Sequence, residues 1–138
     1  MRKYIIATHG YMAHGITTTL NMLIGEPENL TVINAYTDEC KDPVPEFEKV
    51  IAENPEDDIV IMTDLFGGSV NNNAMQLLGN ERVHVVTGIN LAVVISIVMS
   101  AQDVDTKTMI AQAVAGAKDM IIYCNEMAAN ADDEDDNF

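Results

Sequence analysis

Short apolar runs alternate along this chain with longer stretches in which apolar residues recur every three or four positions. Lys3–Thr8, Leu30–Ala35, Asp58–Thr63 and Arg82–Thr87 are short and apolar, as strands covered on both faces should be. Helical spacing marks the segments between them. Ala13 to Ile24 places Ile16, Leu20, Leu23 and Ile24 on one side and stops at Gly25. Pro45 to Glu53 is opened by a proline and closed before Pro55. Ser69 to Leu78 has Ser69 as its expected N-cap and Gly79 after its end. Leu91 to Ala101 is a strongly apolar helix, Thr106 to Ala117 a further helix, and Asp119–Cys124 a last strand.

Strands that alternate with helices form βαβ units, which predicts an α/β, doubly wound, mainly parallel sheet with helices on both faces. Right-handed crossovers make 2-1-3-4 the economical strand order. The switch point, where such sheets hold ligands, then lies between the first and third strands. The last strand joins an edge of its own sheet or, by swapping, the sheet of a partner.

Composition narrows the class. At 138 residues, nearly half hydrophobic, the chain reads as one domain with a real core, residues 1–124. Residues 125–138 form an acidic tail expected to be disordered and to serve solubility. The formal net charge of -15 argues against nucleic acid and anionic membranes and favours a basic partner. Arg2 and Lys3 precede an apolar run too short for a secretory signal, and Leu91 to Met99 is too short to span a bilayer. Cys40 and Cys124 make no C-x-x-C pair. The expected location is the cytoplasm, with no cofactor and no metal.

The candidate chemistry sits at two strand ends. The first apolar run stops at Thr8-His9-Gly10 and the third at Asp64-Leu65-Phe66-Gly67-Gly68-Ser69. A histidine that accepts a phosphoryl group must be neutral, with one free lone pair. A carboxylate on its other ring nitrogen fixes the tautomer and offsets the charge that develops. His9 and Asp64 are therefore the catalytic candidates. Gly10, Thr63, Gly67, Gly68 and Ser69 are the candidates for binding phosphoryl oxygens, through backbone N–H groups, hydroxyls and a helix N-terminus. Met12, Leu65 and Phe66 are either a partner-contact patch or core. Asn71-Asn72-Asn73 is read as polar packing, His14 as a partly exposed helical residue and His84 as structural. A zinc site from His9, His14 and Asp64 is poorly spaced.

At these residues the chain resembles enzyme IIA of the mannose family of the bacterial phosphoenolpyruvate-dependent sugar phosphotransferase system (PTS). The matching motifs are Thr8-His9-Gly10, the helix ending in Leu23-Ile24-Gly25, Asp64-Leu65-Phe66-Gly67-Gly68-Ser69 and Gly88-Ile89-Asn90-Leu91, in the family's order over roughly residues 3–124. The resemblance implies that His9 is the phosphorylated histidine and Asp64 its orienting acid. It implies a homodimer in which the C-terminal strand can pair with the other subunit's sheet. It also implies that the phosphocarrier HPr is the donor and an enzyme IIB the acceptor. With no fused IIB domain following, a separate acceptor protein is expected, and peripheral association with a membrane permease stays open. Val70 and Ala92 stand where the family usually has proline.

Other readings of this pattern fit less well. A receiver domain needs an acidic pair after the first strand and a lysine after the fifth; here Thr8-His9 and Asn125-Glu126 take those places. A flavin carrier needs a phosphate loop after the first strand, whereas Thr17-Thr18-Thr19 lies well inside the helix. A phosphohistidine protein that feeds a dihydroxyacetone kinase or a regulator shares fold and histidine. A non-catalytic interaction module would be favoured by loss of His9 or Asp64, and both are present.

Overall fold

The computed structural model describes residues 1–136, and side chains as far as residue 131. Strands β1 (Arg2–His9), β2 (Leu30–Ala35), β3 (Asp58–Thr63) and β4 (Val83–Val86) form one parallel sheet in the order β2-β1-β3-β4. This is the order expected from the sequence. Helices α1 (Met12–Ile24), α2 (Val44–Glu53) and α3 (Ser69–Met75) make the connections between strands, α4 (Leu91–Val98) and α5 (Thr106–Asp119) follow β4, and together they cover both faces.

The pleat divides the core in two. Tyr4 and Ile6 of β1, with Val60 and Met62 of β3, pack on Leu20 of α1, Val94 and Ile97 of α4 and Met109 of α5. Ile5 and Ala7, with Ile59 and Ile61, pack on Phe47 of α2 and on Val70 and Ala74 of α3. Successive residues of a strand face opposite sides, so an unbroken apolar run is what a doubly covered strand requires.

The C-terminal segment differs from expectation. Asp119 ends α5, and residues 120–123 form no strand; Met120, Ile121, Ile122 and Tyr123 are exposed. A strand is completed by hydrogen bonds to a neighbouring edge, and among the described residues this segment meets none. Beyond it, Cys124–Asp136 forms helix α6 where disorder was expected. Its alanines, Glu126 and Met127 are good helix formers, so local propensity prevails over the acidity used to argue disorder. Residues 137 and 138 of the expected tail lie outside the described residues. Among the described residues, no helix is long and apolar enough to cross a membrane.

Candidate functional site

The site forms at the C-terminal edge of the sheet, where β1 and β3 run side by side. Their register sets Ala7 against Thr63, which brings His9, two residues on, and Asp64, one residue on, to the same edge. Gly10 follows His9 at φ 61°, a left-handed conformation that a residue without Cβ adopts freely, and the chain turns there into α1. Thr8 is fully buried and accepts a hydrogen bond from the Ala13 N–H at 2.8 Å, tying the start of α1 to the strand.

Asp64 meets His9 twice through one oxygen. Oδ2 lies 3.0 Å from the His9 backbone nitrogen and 2.9 Å from ring Nδ1. A carboxylate can only accept, so Nδ1 carries the hydrogen and a neutral imidazole keeps its lone pair on Nε2. Partial burial works to raise the Asp64 carboxyl pKa. The backbone and ring hydrogen bonds from His9 outweigh it, and the group is held below its ordinary range. Asp64 thus stays ionised against the histidine. Its other oxygen, Oδ1, is buried with no hydrogen-bond partner among the described residues.

Nε2 faces the glycine turn. Ser69 Oγ lies 3.3 Å from it, and the Tyr36 hydroxyl donates to that same Oγ at 2.8 Å. The Tyr36 ring packs on the imidazole with centroids 5.4 Å apart and planes at 47°. The turn itself is held by the Gly68 N–H donating to Leu65 O. A Cβ at Gly68 would stand 3.2 Å from His9 Cε1 and 3.2 Å from Leu65 O, so glycine permits the ring's close approach.

Of the residues expected to bind phosphoryl oxygens, several are committed elsewhere. Thr63 is fully buried, and its hydroxyl donates to Asn71 Oδ1 at 2.8 Å. It braces β3 against α3 and is not available to a phosphoryl group. The Gly10 N–H donates to Ala35 O, and the Gly68 N–H holds the turn just described. Both glycines shape the site without offering a donor. Ser69 differs from its expected role too: Gly68 is the N-cap of α3 and makes no side-chain cap bond, while the Ser69 hydroxyl turns to His9. The backbone N–H groups of Gly67 and Ser69 have no acceptor among the described residues.

Leu65 and Phe66 stand out from the turn, and Phe66 is 75% exposed. Tyr11 and Met12, which follow His9 in the chain, are exposed as well. These residues are therefore surface and not core. His14 is exposed on α1, while His84 Nε2 lies 4.0 Å from Asp58 at the far end of the sheet. Asn71 is buried and bonded as polar packing requires. Sequence reasoning missed Tyr36. Its one signal was an aromatic residue directly after the strand that neighbours β1, at the same sheet edge as His9.

Comparison with known proteins shows the family. The model of the family described as "PTS system fructose IIA component" matches residues 3–114. The mannose-specific EIIAB component of the PTS from Escherichia coli (strain K12) is 29% identical over 104 residues, which is 72% of this chain and 32% of that protein. The chain thus spans about a third of the length of that relative. A solved structure from Klebsiella pneumoniae, described as a phosphoenolpyruvate-dependent sugar PTS permease, is 33% identical with a TM-score of 0.84, covering 92% of this chain and 93% of that one. The phosphotransferase system component EIIA from Streptococcus agalactiae shares the fold at a TM-score of 0.81 and 22% identity, covering 91% of this chain and 99% of its own. The matched residues take in both strands that carry His9 and Asp64, and this chain belongs to the family of PTS system fructose IIA components, the mannose-type IIA family that its motifs resemble.

Proposed function

We propose that this protein is a phosphohistidine carrier in sugar uptake, accepting a phosphoryl group on His9 Nε2 from HPr and passing it to an enzyme IIB. The observation that carries this reading is the Asp64–His9 pair. Asp64 binds Nδ1–H and leaves Nε2 as the only nucleophilic nitrogen of the ring. Transfer makes the ring an imidazolium, and the ionised carboxylate beside Nδ1 offsets that charge. The Ser69 hydroxyl and the N–H groups of Gly67 and Ser69 are the donors left for the phosphoryl oxygens. His9–Met12 and Asp64–Ser69 contain no lysine or arginine. Positive charge for the phosphoryl group in flight comes from the partner, whose basic surface suits a chain of net charge -15. Met12, Leu65 and Phe66 supply the apolar part of that contact.

The working unit in this reading is a homodimer in the cytoplasm. Met120 to Tyr123 are exposed and largely apolar, and β4 is an edge strand of the sheet. Pairing the two between subunits would cover both. Light scattering on a chain truncated after Lys118 checks this; a truncated chain that stays dimeric places the interface elsewhere.

The function is tested by incubating the protein with enzyme I, HPr and phosphoenolpyruvate and reading intact mass. The wild type and His14→Ala should each gain a single acid-labile phosphoryl group, and His9→Ala none. A label that survives His9→Ala overturns the assignment of His9. A wild type that HPr cannot label overturns the donor.

A further inference from the structure

Tyr36 lies against His9 without a part in the chemistry described so far. It follows β2 directly and has a backbone φ of 64°, a sparsely populated region for a residue with a Cβ. That conformation lays its ring on the imidazole and brings its hydroxyl to Ser69.

A serine hydroxyl has one hydrogen to donate and two lone pairs that accept. Ser69 Oγ accepts from Tyr36 at 2.8 Å, which occupies one lone pair and leaves the serine's own hydrogen to face Nε2 at 3.3 Å. Without Tyr36, the rotor could turn a lone pair toward Nε2, and two lone pairs repel. We propose that Tyr36 is a positioning residue, which acts through Ser69 to keep a hydroxyl hydrogen aimed at the place where the phosphoryl group arrives. This rests on the phosphocarrier reading above.

The step balances without a proton leaving. The bond between phosphorus and the donor atom breaks, and its electron pair returns to that donor atom. The Nε2 lone pair forms the new bond to phosphorus, and Nδ1–H remains on Asp64. Ser69 O–H then has no lone pair to meet on Nε2 and turns to a phosphoryl oxygen. The Tyr36 hydrogen bond holds Ser69 Oγ in place throughout, so little is reorganised during transfer.

Tyr36→Phe tests this, because it keeps the ring packing and removes only the hydroxyl. It is compared with Ser69→Ala and with the double variant. Tyr36→Phe should slow single-turnover phosphorylation of His9 by about two- to tenfold, the range of one neutral hydrogen bond. In the Ser69→Ala background it should cost nothing further, since the two act as one unit. The nitrogen-15 resonance of His9 Nε2 in the unphosphorylated protein should move toward that of an unbonded imidazole nitrogen in both single variants. Additive rate losses, or an Nε2 resonance that ignores Tyr36→Phe, overturn the proposal. The resonance needs no donor protein, so it decides the role of Tyr36 even if HPr fails to label the wild type.

Discussion

Strand β1 carries a polar side chain at each end, and the two are treated in opposite ways. At its start Arg2 is 2% exposed, and each nitrogen of its guanidinium donates a hydrogen bond. Nε donates to Thr106 Oγ1 at 2.9 Å, Nη1 to Ala101 O at 2.9 Å and to Ser100 Oγ at 3.2 Å, and Nη2 to Val104 O. Thr106 passes the link on to Asp58 at 2.6 Å. At the other end His9 is exposed, and its Nε2 has a single hydroxyl at 3.3 Å. With a partner on every guanidinium nitrogen, Arg2 ties β1 to the loop between α4 and α5. With capacity to spare on Nε2, His9 can form a new bond. The comparison teaches that charge alone does not mark a site; unspent bonding capacity at the solvent boundary does.

Substitutions at the two ends should therefore fail differently. Asp64→Asn is expected to have the largest effect, chiefly on rate, with the fold kept and only a small loss of stability at neutral pH. An amide can still hold the ring but cannot offset the imidazolium, so transfer should fall about 10²- to 10³-fold. Rapid-quench phosphorylation beside a thermal melt checks both halves of that statement. Arg2→Met should show the mirror image. It removes the donor to the carbonyls of Ala101 and Val104 and to Thr106 Oγ1, costing about 2–4 kcal/mol of stability. Transfer per folded molecule should stay as it was. Urea unfolding gives the first number, and a loss of transfer rate in the folded variant would show that the ends are coupled.

Gly68→Ala sharpens the comparison at the site itself. Gly68 has φ -72° and ψ 160°, which alanine accepts, so the fold should hold. The new methyl would press on His9 Cε1 and Leu65 O, each 3.2 Å from it. A ring displaced by a few tenths of an ångström should transfer about three- to tenfold more slowly. Kinetics of the variant with an unshifted melting temperature would bear this out.

Acid should act through Asp64 with the smallest effect. Its folded pKa lies below the unfolded value, which is about 3.9 for an aspartate. A depressed carboxylate stabilises the fold above the unfolded pKa, and the contribution is lost as pH falls through the lower folded one. The stability gap between wild type and Asp64→Asn should then be full at neutral pH and close below about pH 4. A gap that persists in acid would mean that charge is not what Asp64 contributes.

The unbroken apolar runs of β1 and β3 already required a sheet covered on both faces, because alternate residues such as Ile5 and Ile6 must each be buried. Their alternation with helical spacing led to the order β2-β1-β3-β4, and that order put His9 and Asp64 at one edge. These inferences hold because they rest on local periodicity and chain handedness, which distant contacts do not alter. What required the folded chain is everything set by neighbours far apart in sequence. Thr63 and Gly68 stand beside the chemistry in the sequence, yet the Thr63 hydroxyl and the Gly68 N–H are spent on Asn71 and Leu65. Tyr36 looks like a loop residue until β2, lying beside β1, carries it to His9. Arg2 looks like a charged flank until the loop before α5 folds over it. Met120 to Tyr123 has the composition of a strand, but a strand exists only where an edge accepts its hydrogen bonds, and the described residues pair none with it.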